Sequence, residues 1–540
     1  MVRRAGVGLA LAACVLAAAP SHAQNGSDPA LVQFRVARAR GERPQNERIV
    51  TTVVRGGLAG TEIELRSGRD YRIDASIGPF ASAHGSSGGV TWQQNENGET
   101  VLTTYDSEHE AEERTDEATE TTVAHETLPN DLSVIERLTA TGNGTKDYVD
   151  PKWRIVRHES VTPTGTTVTT FDDFRITAGY VRPWHWHVGD GHPENDADYR
   201  IASIETSAVD PALLAVPASR RTLVEFPAGM KVVPLPAQLD RDRQRFVVRV
   251  TIGKRGLDFM LDTGASRINI DRDVAQQLGL TEYTAYSNAS DAARYVGTRT
   301  IVPAMSVGPL TLHDAVVETI PHVEGETGPY RVVGLLGFDF LEGVGLKLDY
   351  QHGTVSAYDP SAFVAPTTPG TIALDVRLGS HQPETTVSIN GATGSRFVLD
   401  TGGAGAVLID DYFRRLHPEA VRNADEGNAR SEAMLGIGGQ FETKLYKIGS
   451  MTVGNETFND FYANVVTTST AYTGNQDGLI GPDFFQLFTV YADFPHRKMF
   501  LVPNDVGRKA IIPSEPERTP VPLPALAPSD DLLGSFEPRR

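Results

Sequence analysis

The sequence predicts a mainly β protein, in which an antiparallel β-rich N-terminal domain is followed by two tandem β units. Three observations predict this fold class. Residues from Val248 to Ile252 and from Thr386 to Ile389 alternate in side-chain character and lie near glycine turns, as short strands do. Stretches nearer the N-terminus, such as "GTEIELRSGRDYRIDASIGPF" and "GTTVTTFDDFRITAGYVRP", alternate in the same way. Two later segments repeat each other, which indicates duplicated structural units.

Residues 1–23 have the three parts of a secretory signal. Arg3 and Arg4 precede a short apolar stretch from Ala5 to Ala19, and the following "SHAQ" predicts cleavage after Ala23. The stretch is too short for a spanning helix, and no later segment resembles one. We therefore expect an exported chain without a membrane span, located in the periplasm or outside the cell.

The single cysteine, Cys14, lies inside this leader. A lipoprotein cleavage site at "LAAC" is the alternative, but apolar residues continue past the cysteine, which favours the ordinary cleavage. The mature chain then has no thiol, which excludes disulfides, thiolate metal sites and cysteine nucleophiles.

The charge of the chain argues against two classes of partner. Loss of Arg3 and Arg4 changes the formal net charge from −19 to −21. An acidic surface of this kind disfavours nucleic acid and anionic membranes. No nucleotide-binding loop or serine-nucleophile signature is present in the sequence, and we expect neither a cofactor nor a metal.

Residues 24–227 form the predicted N-terminal domain and contain all four tryptophans. The order of their alternating stretches loosely resembles the half-barrels of periplasmic lipoprotein carriers. That resemblance implies a domain that binds an apolar ligand or presents substrate, and a domain that only packs against the rest is the alternative.

Two motifs in this domain suggest ligands. "WHWHVGDGH" places His185 and His187 on one face of a strand with His192 nearby, but no carboxylate or cysteine partner is identifiable in the sequence, so histidines without a metal are favoured. "DSEHEAEERTDEATE" at 106–120 packs eight acids into fifteen residues. We interpret it as a solvated helix or loop, with a site for a cation or a basic partner as the alternative.

The internal repeat centres on two short phrases. "FMLDTGAS" at 259–266 recurs as "FVLDTGGA" at 397–404, and "GLLGFDFL" from Gly334 recurs as "GLIGPDFF" from Gly478. Proline-rich stretches at 226–236 and 360–370 separate the units. The predicted units are therefore 228–362 and 363–505, followed by a Pro-rich flexible tail at 506–540. A short helix is expected after each "GFDF" or "GPDF", with Asp339 and Asp483 as N-caps.

Asp-Thr-Gly carries the chemistry that such a repeat can perform. Three apolar residues deliver the Asp from a buried strand, and the glycine permits a tight turn. The threonine hydroxyl can bond across to the equivalent loop of the other unit. Two facing carboxylates cannot both ionise, so they share a proton. One member then acts as a general base on water and the other as a general acid.

These features resemble the aspartic proteases, and the short units resemble the bacterial retropepsin-like branch. The resemblance covers residues near 239 to near 503. It implies two retropepsin-like β-barrel units that form a bilobal fold around one cleft, a peptide or protein substrate, and no cofactor. It assigns the dyad to Asp262 and Asp400, and the supporting loop residues to Thr263, Gly264, Thr401 and Gly402. Because one chain carries both halves, we expect a monomeric pseudo-dimer.

The positions after Asp-Thr-Gly depart from the pepsin-like pattern, which has Ser or Thr there. This sequence has Ala265 and Gly403, so a hydroxyl that would stabilise the ionised carboxylate is missing. Fewer hydrogen bonds to the charged form raise its pKa, and we expect a working pH of about 5 to 7.

A flap over the cleft is a further expectation of the resemblance. The candidate segments are "RYVGT" at 294–298, with Tyr295 and Gly297, and "LGIGGQ" at 435–440, with Gly436, Ile437 and Gly438. Ordinary hairpin turns are the alternative for both.

Three hypotheses for function follow. The first is an exported aspartic-type endopeptidase that uses Asp262 and Asp400. The second is a catalytically silent peptide- or lipoprotein-binding protein of the same fold. The third keeps catalysis but pairs each unit with its copy in a dimer. Two intact loops favour enzymes, since a binder needs no pair of carboxylates that share a proton.

Overall fold

The computed structural model describes residues 44–103, 116, 118–128, 131–139, 141–162, 165–220, 222–290, 293–321, 330–379, 382–422, 430–436, 439–467 and 476–511. Several predictions concern residues outside these ranges: the leader with Cys14, most of the acidic run, the tail from residue 512, and the flap candidates Ile437 and Gly438. Within the described ranges, no helix has the length and apolar character needed to cross a membrane.

The N-terminal domain forms one antiparallel sheet of thirteen strands, as the alternating pattern predicted. Its strands are β1 Asn46–Arg55, β2 Leu58–Ser67, β3 Asp70–Ile77, β4 Phe80–Ser87, β5 Val90–Gln94, β6 Thr100–Thr103, β7 Thr121–Thr127, β8 Ser133–Leu138, β9 Gly144–Val149, β10 Ile155–Thr162, β11 Gly165–Thr177, β12 Tyr180–Gly189 and β13 Ala197–Glu205. The first and last strands pair in the middle of the sheet, so β6 and β7 lie at its two edges. A 3-10 turn at Pro193–Asn195 and helix α1 at Pro211–Leu214 complete the domain.

The first unit is built on a nine-stranded sheet. Its elements are β14 Val224–Glu225, β15 Val232–Leu235, β16 Ala237–Asp240, β17 Arg245–Ile252, β18 Arg255–Leu261, β19 Asn269–Asp271, α2 Arg272–Gln277, β20 Thr284–Ala289, β21 Arg294–Val307, β22 Leu310–Ile320, β23 Val332–Leu336, α3 Phe338–Leu341, β24 Gly345–Asp349 and β25 Thr354–Tyr358, then a 3-10 turn at Pro360–Ala362. Strand β14 precedes the predicted boundary at residue 228, yet it pairs with β22.

The second unit repeats the same order of elements around an eight-stranded sheet. They are β26 Ile372–Asp375, β27 Arg377–Gly379, β28 Gln382–Ile389, β29 Ala392–Leu399, β30 Val407–Ile409, α4 Asp411–Leu416, α5 Pro418–Arg422, β31 Arg430–Gly436, β32 Gly439–Val453, β33 Glu456–Val466, β34 Gly478–Ile480, α6 Pro482–Phe485, β35 Phe488–Asp493, a 3-10 turn at Phe494–His496, β36 Lys498–Pro503 and α7 Asp505–Ile511. The predicted fold class, a mainly β chain with two tandem units behind an antiparallel N-terminal sheet, is confirmed.

A six-stranded antiparallel sheet joins the two units, with three strands from each. Its central pair is β24 with β35, in which Gly345 lies opposite Asp493 and Asp349 opposite Thr489. One hydrophobic core continues through both units beside this sheet. Phe338, Phe340, Phe484 and Phe485 are fully buried there, and burial of each such side chain contributes about 1.5–3 kcal/mol. The two units are thereby packed as one body.

Two expectations about local structure are wrong. The short helices contain the "FDF" and "PDF" segments instead of following them, and their N-caps are Gly337 and Gly481, without a side-chain cap. Gly337 is there because a Cβ would lie 2.1 Å from the Arg267 carbonyl oxygen. The tail also begins later than residue 506, because residues up to Ile511 form α7.

Candidate active site

The two Asp-Thr-Gly loops follow equivalent strands of the two units. Asp262 comes directly after β18 and Asp400 directly after β29. Each of these strands pairs in parallel with the strand that contains the start of the other repeated motif, β23 with Gly334 in the first unit and β34 with Gly478 in the second. The backbone N–H of Asp262 donates to the Leu336 carbonyl at 3.2 Å, and that of Asp400 to Ile480 at 2.9 Å. The parallel strands therefore fix the point at which each aspartate leaves the sheet.

The two threonines bond reciprocally across the interface between the units. The Thr401 N–H donates to Thr263 Oγ1 at 2.9 Å, and the Thr263 N–H donates to Thr401 Oγ1 at 3.2 Å. Each hydroxyl in turn donates to a carbonyl of the opposite strand, Thr263 to Leu399 and Thr401 to Leu261. Both side chains are buried. This crossed pattern holds the two loops against each other and leaves both hydroxyls satisfied.

The two glycines are required by a close approach between the loops. A Cβ at Gly264 would lie 2.5 Å from the carboxyl carbon of Asp400, and one at Gly402 would lie 2.3 Å from that of Asp262. The sequence argument attributed these glycines to a tight turn. The structure assigns a different reason, since each glycine makes room for the carboxyl group of the opposite unit.

The two carboxyl groups are buried and share a hydrogen bond. Oδ1 of Asp262 accepts from the N–H groups of Gly264 and Ala265 at 2.9 and 3.1 Å. Oδ1 of Asp400 accepts from Gly402 and Gly403 at 2.9 and 2.8 Å. Burial and the neighbouring Asp400 carboxylate raise the pKa of Asp262 well above its usual value, and burial raises the pKa of Asp400. The pair therefore retains one proton at a pH where an exposed Asp has lost it.

Two side chains that the sequence analysis did not single out support these loops from the opposite unit. Arg245 Nε donates to the Gly403 carbonyl at 2.8 Å, and Gln382 Nε2 donates to the Gly264 carbonyl. They open the equivalent strands β17 and β28. The only sequence signal for them is this position at the start of each repeat. The Arg245 cation also lowers the pKa of both aspartates.

Two further ionisable side chains lie near the dyad. Burial raises the pKa of Asp483, and Arg245 acts in the opposite direction. Burial also raises the pKa of Tyr350, and the Asp400 and Asp483 carboxylates act in the same direction. Tyr350 consequently stays neutral, and Arg245 is a cation that acts on both aspartates.

The flap candidates lie on a hairpin in each unit. Tyr295 pairs with Asn288 and Gly297 with Tyr286 in the hairpin of β20 and β21. Tyr295 packs against the same small apolar cluster as Ala265, which follows the first Asp-Thr-Gly. In the second unit, Gly436 lies opposite Gly439 at the end of the hairpin of β31 and β32. The hairpins occupy equivalent places in the two units, and their action as flaps stays a prediction.

The histidine motif has a structural explanation. His185 Nδ1 lies 2.7 Å from Asp172 and Nε2 lies 2.7 Å from Asp198, on the neighbouring strands. Burial disfavours the charged imidazole, but hydrogen bonds to Asp198 and Asp172 outweigh it and raise the pKa of His185. In the described part of the chain, no group of three His, Cys, Asp or Glu side chains is arranged so that it could hold a metal ion. The His185 side chain therefore links three neighbouring strands through its contacts with Asp172 and Asp198.

Comparison with known proteins identifies the repeated segments. A family model described as aspartyl protease matches residues 248–340 and 385–484. The two repeats are similar to aspartyl proteases. Each matched segment contains one Asp-Thr-Gly loop and one apolar-glycine phrase, and Arg245 and Gln382 lie three residues before the two segments.

Solved structures with similarity to the chain include members of two kinds. An aspartic proteinase from Irpex lacteus has 14% identity and a TM-score of 0.33, covering 52% of this chain and 99% of its own. Basic 7S globulin from soybean has 9% identity and a TM-score of 0.30, covering 51% and 96%. A LolA superfamily protein from Nitrosomonas europaea has 9% identity and a TM-score of 0.26, covering 34% and 96%. No significant match was found among curated proteins.

Proposed function

We propose that the protein is an exported aspartic-type endopeptidase in which Asp262 and Asp400 of one chain activate water. One observation carries this proposal: the crossed threonine bonds bring two buried carboxyl groups into hydrogen-bond contact, where burial and mutual repulsion make them share a proton. The similarity of both repeats to aspartyl proteases supports it.

The shared proton defines the chemistry. Backbone donors occupy Oδ1 of each carboxylate, so Oδ2 is the oxygen that exchanges protons with substrate and water. The ionised member removes a proton from water, and the hydroxide adds to the peptide carbonyl carbon. The protonated member donates its proton to the carbonyl oxygen. Return of a proton to the amide nitrogen then breaks the C–N bond, which releases a carboxyl and an amino terminus.

The environment of the dyad suggests its pH range. The raised pKa values keep one proton in the pair to a higher pH than two exposed aspartates would. In addition, a Cβ at Gly403 would lie 2.5 Å from Asp400 Oδ2, so the hydroxyl-bearing residue of the pepsin-like pattern does not fit here without a shift. Cleavage should accordingly be fastest at about pH 5 to 7.

Cleavage of a mixed peptide library by the mature chain from Gln24, between pH 3 and 8, tests the proposal. Asp262→Asn and Asp400→Asn should each lower kcat/KM by at least about a thousandfold, because either change removes the ionisable pair. Asp314→Asn is the matched control, since Asp314 is exposed within β22 and has a φ of 47° that asparagine adopts as well. Sedimentation of the same samples reports whether the active species is a monomer.

The other hypotheses predict different results. Loss of cleavage with one substitution alone would place catalysis between two chains of a dimer. Absence of cleavage by every form, with peptides still bound, would favour a silent binding protein of the same fold.

A further inference from the structure

The hairpin of β20 and β21 is here called the first hairpin. The N-terminal domain contacts it along the outer edge of β20. Strand β20 ends its own sheet, so its outward backbone groups face away from any strand of the unit. Near the base of the hairpin, Thr284 Oγ1 donates to the Gly56 carbonyl at 2.7 Å. Phe80 contacts Tyr283 edge-on, with 5.7 Å between ring centroids. The base of the hairpin is therefore anchored to β1, β4 and their turns.

Asn195 makes the most specific of these contacts. Its Oδ1 accepts from the Ser287 N–H at 2.8 Å, and its Nδ2 donates to the Ser287 carbonyl at 3.0 Å. One side-chain amide thus takes the two bonds that a neighbouring antiparallel strand would make. Nδ2 also donates to Asp190 Oδ2 at 2.8 Å, and Asp190 Oδ1 accepts from the His192 N–H at 3.0 Å. The loop after the histidine motif is in this way shaped to present Asn195 to the exposed edge of β20.

A second connection runs from the hairpin to the catalytic loop. Glu96, between β5 and β6 of the N-terminal sheet, pairs with Arg299 of β21. The same carboxylate lies 3.3 Å from Arg267, five residues after Asp262, and Arg267 also pairs with Glu318 at 3.3 Å. These side chains are all about nine-tenths buried or more. Separating a pair that is buried in this way leaves a charge away from water without compensation, which is strongly destabilising.

We propose that the N-terminal sheet positions the first hairpin beside the catalytic loops, with Asn195 as the positioning residue. In this proposal the N-terminal sheet supports the active site instead of forming an independent domain. Its contacts limit the movement of the first hairpin when substrate enters. The expected effect on kinetics rests on the proposed peptidase function, whereas the contacts between the sheet and the hairpin do not.

Restraint of the hairpin by the N-terminal sheet can be measured without catalysis, as the rate of amide hydrogen exchange in β20 of the mature protein. Asn195→Ala removes both bonds to Ser287, so the Ser287 amide and the neighbouring residues of β20 should exchange about tenfold faster. Thr284→Val, which keeps the branched shape but loses the bond to Gly56, should have a smaller effect in the same direction. Asn459→Ala, an exposed strand position of the second unit, is the control and should leave the hairpin unchanged.

Kinetics provide the second measurement. If Asn195 positions the hairpin over substrate, Asn195→Ala should raise KM for a good peptide several-fold while kcat changes less than twofold. A purely structural residue would reduce kcat by lowering the folded fraction and leave KM unchanged. Exchange equal to wild type, or a fall in kcat alone, would overturn the proposal. Faster exchange of the β20 amides in Asn195→Ala, in a protein that never cleaves peptide, would support positioning of the hairpin by the sheet and contradict only the peptidase function.

Discussion

Arg245 and Gln382 make related contacts on opposite loops, one with the residue after Asp-Thr-Gly and the other with its glycine, yet one is charged and the other is neutral. Each donates to the carbonyl of a glycine in the catalytic loop of the other unit. The difference breaks the electrostatic symmetry of an otherwise repeated site, because the Arg245 cation favours the ionised form of both aspartates. The dyad environment is therefore set by one residue that the repeat does not share.

Arg245→Gln should move the pH profile of cleavage to higher pH by about one unit. Glutamine keeps a donor, as Gln382 does, but the cation that lowers the dyad pKa is lost. Both limbs of the kcat/KM profile should shift together, since both report protonation of the dyad. Arg249→Gln, on the same strand but paired with Asp258 at the surface, is the control.

Arg245 also acts on the pKa of Asp483, so the Arg245 shift should be repeated in an Asp483→Asn background. A shift of the same size in that background assigns the effect to the dyad. An unchanged profile, or a shift to lower pH, would contradict the role given to Arg245.

The meeting of the two Asp-Thr-Gly loops could be predicted from the sequence because the same three residues recur in matched context, whereas the catalytic role of Asp262 and Asp400 stays a prediction. Asp262, Thr263, Gly264 and their repeats fall together in the structure as the motif required. Arg245 and Asn195 could not be predicted, since their contacts join residues 158 and 92 positions apart. No local pattern encodes such a distance.

At the scale of elements, the repeat predicted two duplicated β units but not the role of the short helices. Asp339 was expected to cap α3, and instead lies within it and accepts from the Ile268 N–H at 3.3 Å. An N-cap pattern could not reveal that the helix packs behind the catalytic loop, where Gly337 fits only without a side chain. Both segments named as flap candidates lie on hairpins, and their action as flaps stays a prediction.

Asp339 should make stability fall as pH rises. Burial raises its pKa to about 7, against the opposing effect of Arg267. The native state therefore keeps a proton that the unfolded chain releases above about pH 4, so the free energy of unfolding declines between about pH 4 and 7, by at most about 1.4 kcal/mol per pH unit. Asp339→Asn is neutral throughout and should lack this decline.

Urea unfolding at pH 5 and pH 7.5 measures the effect. The difference in pH dependence between wild type and Asp339→Asn reports Asp339 together with its effect on the neighbouring Glu342, whose pKa is raised by burial, by Glu99 and by Asp339. Equal losses of stability in the two proteins would show that Asp339 is already ionised in the native state.

At the scale of the whole molecule, the N-terminal sheet is tied to the first unit by charge as well as by hydrogen bonds. Arg267 and Arg299 of the unit face Glu318 of the unit and Glu96 of the sheet. The sheet thus supplies, through Glu96, a carboxylate that pairs with both cations. Sequence alone could not indicate this balance, because the four residues come from three separate stretches of the chain.

Glu96→Gln should destabilise the molecule by about 3–5 kcal/mol, because it removes one of the two carboxylates that pair with two buried cations. Both domains should lose stability together, since the charge lies at their junction, and urea unfolding followed by tryptophan fluorescence and by circular dichroism should shift to the same lower midpoint. The matched control is Glu205→Gln, which breaks an exposed pair with Arg48 at 3.4 Å and should cost at most about 1 kcal/mol. If the tryptophans, all of which lie in the N-terminal domain, report an unchanged midpoint while circular dichroism shifts, the sheet folds independently of the unit that it supports.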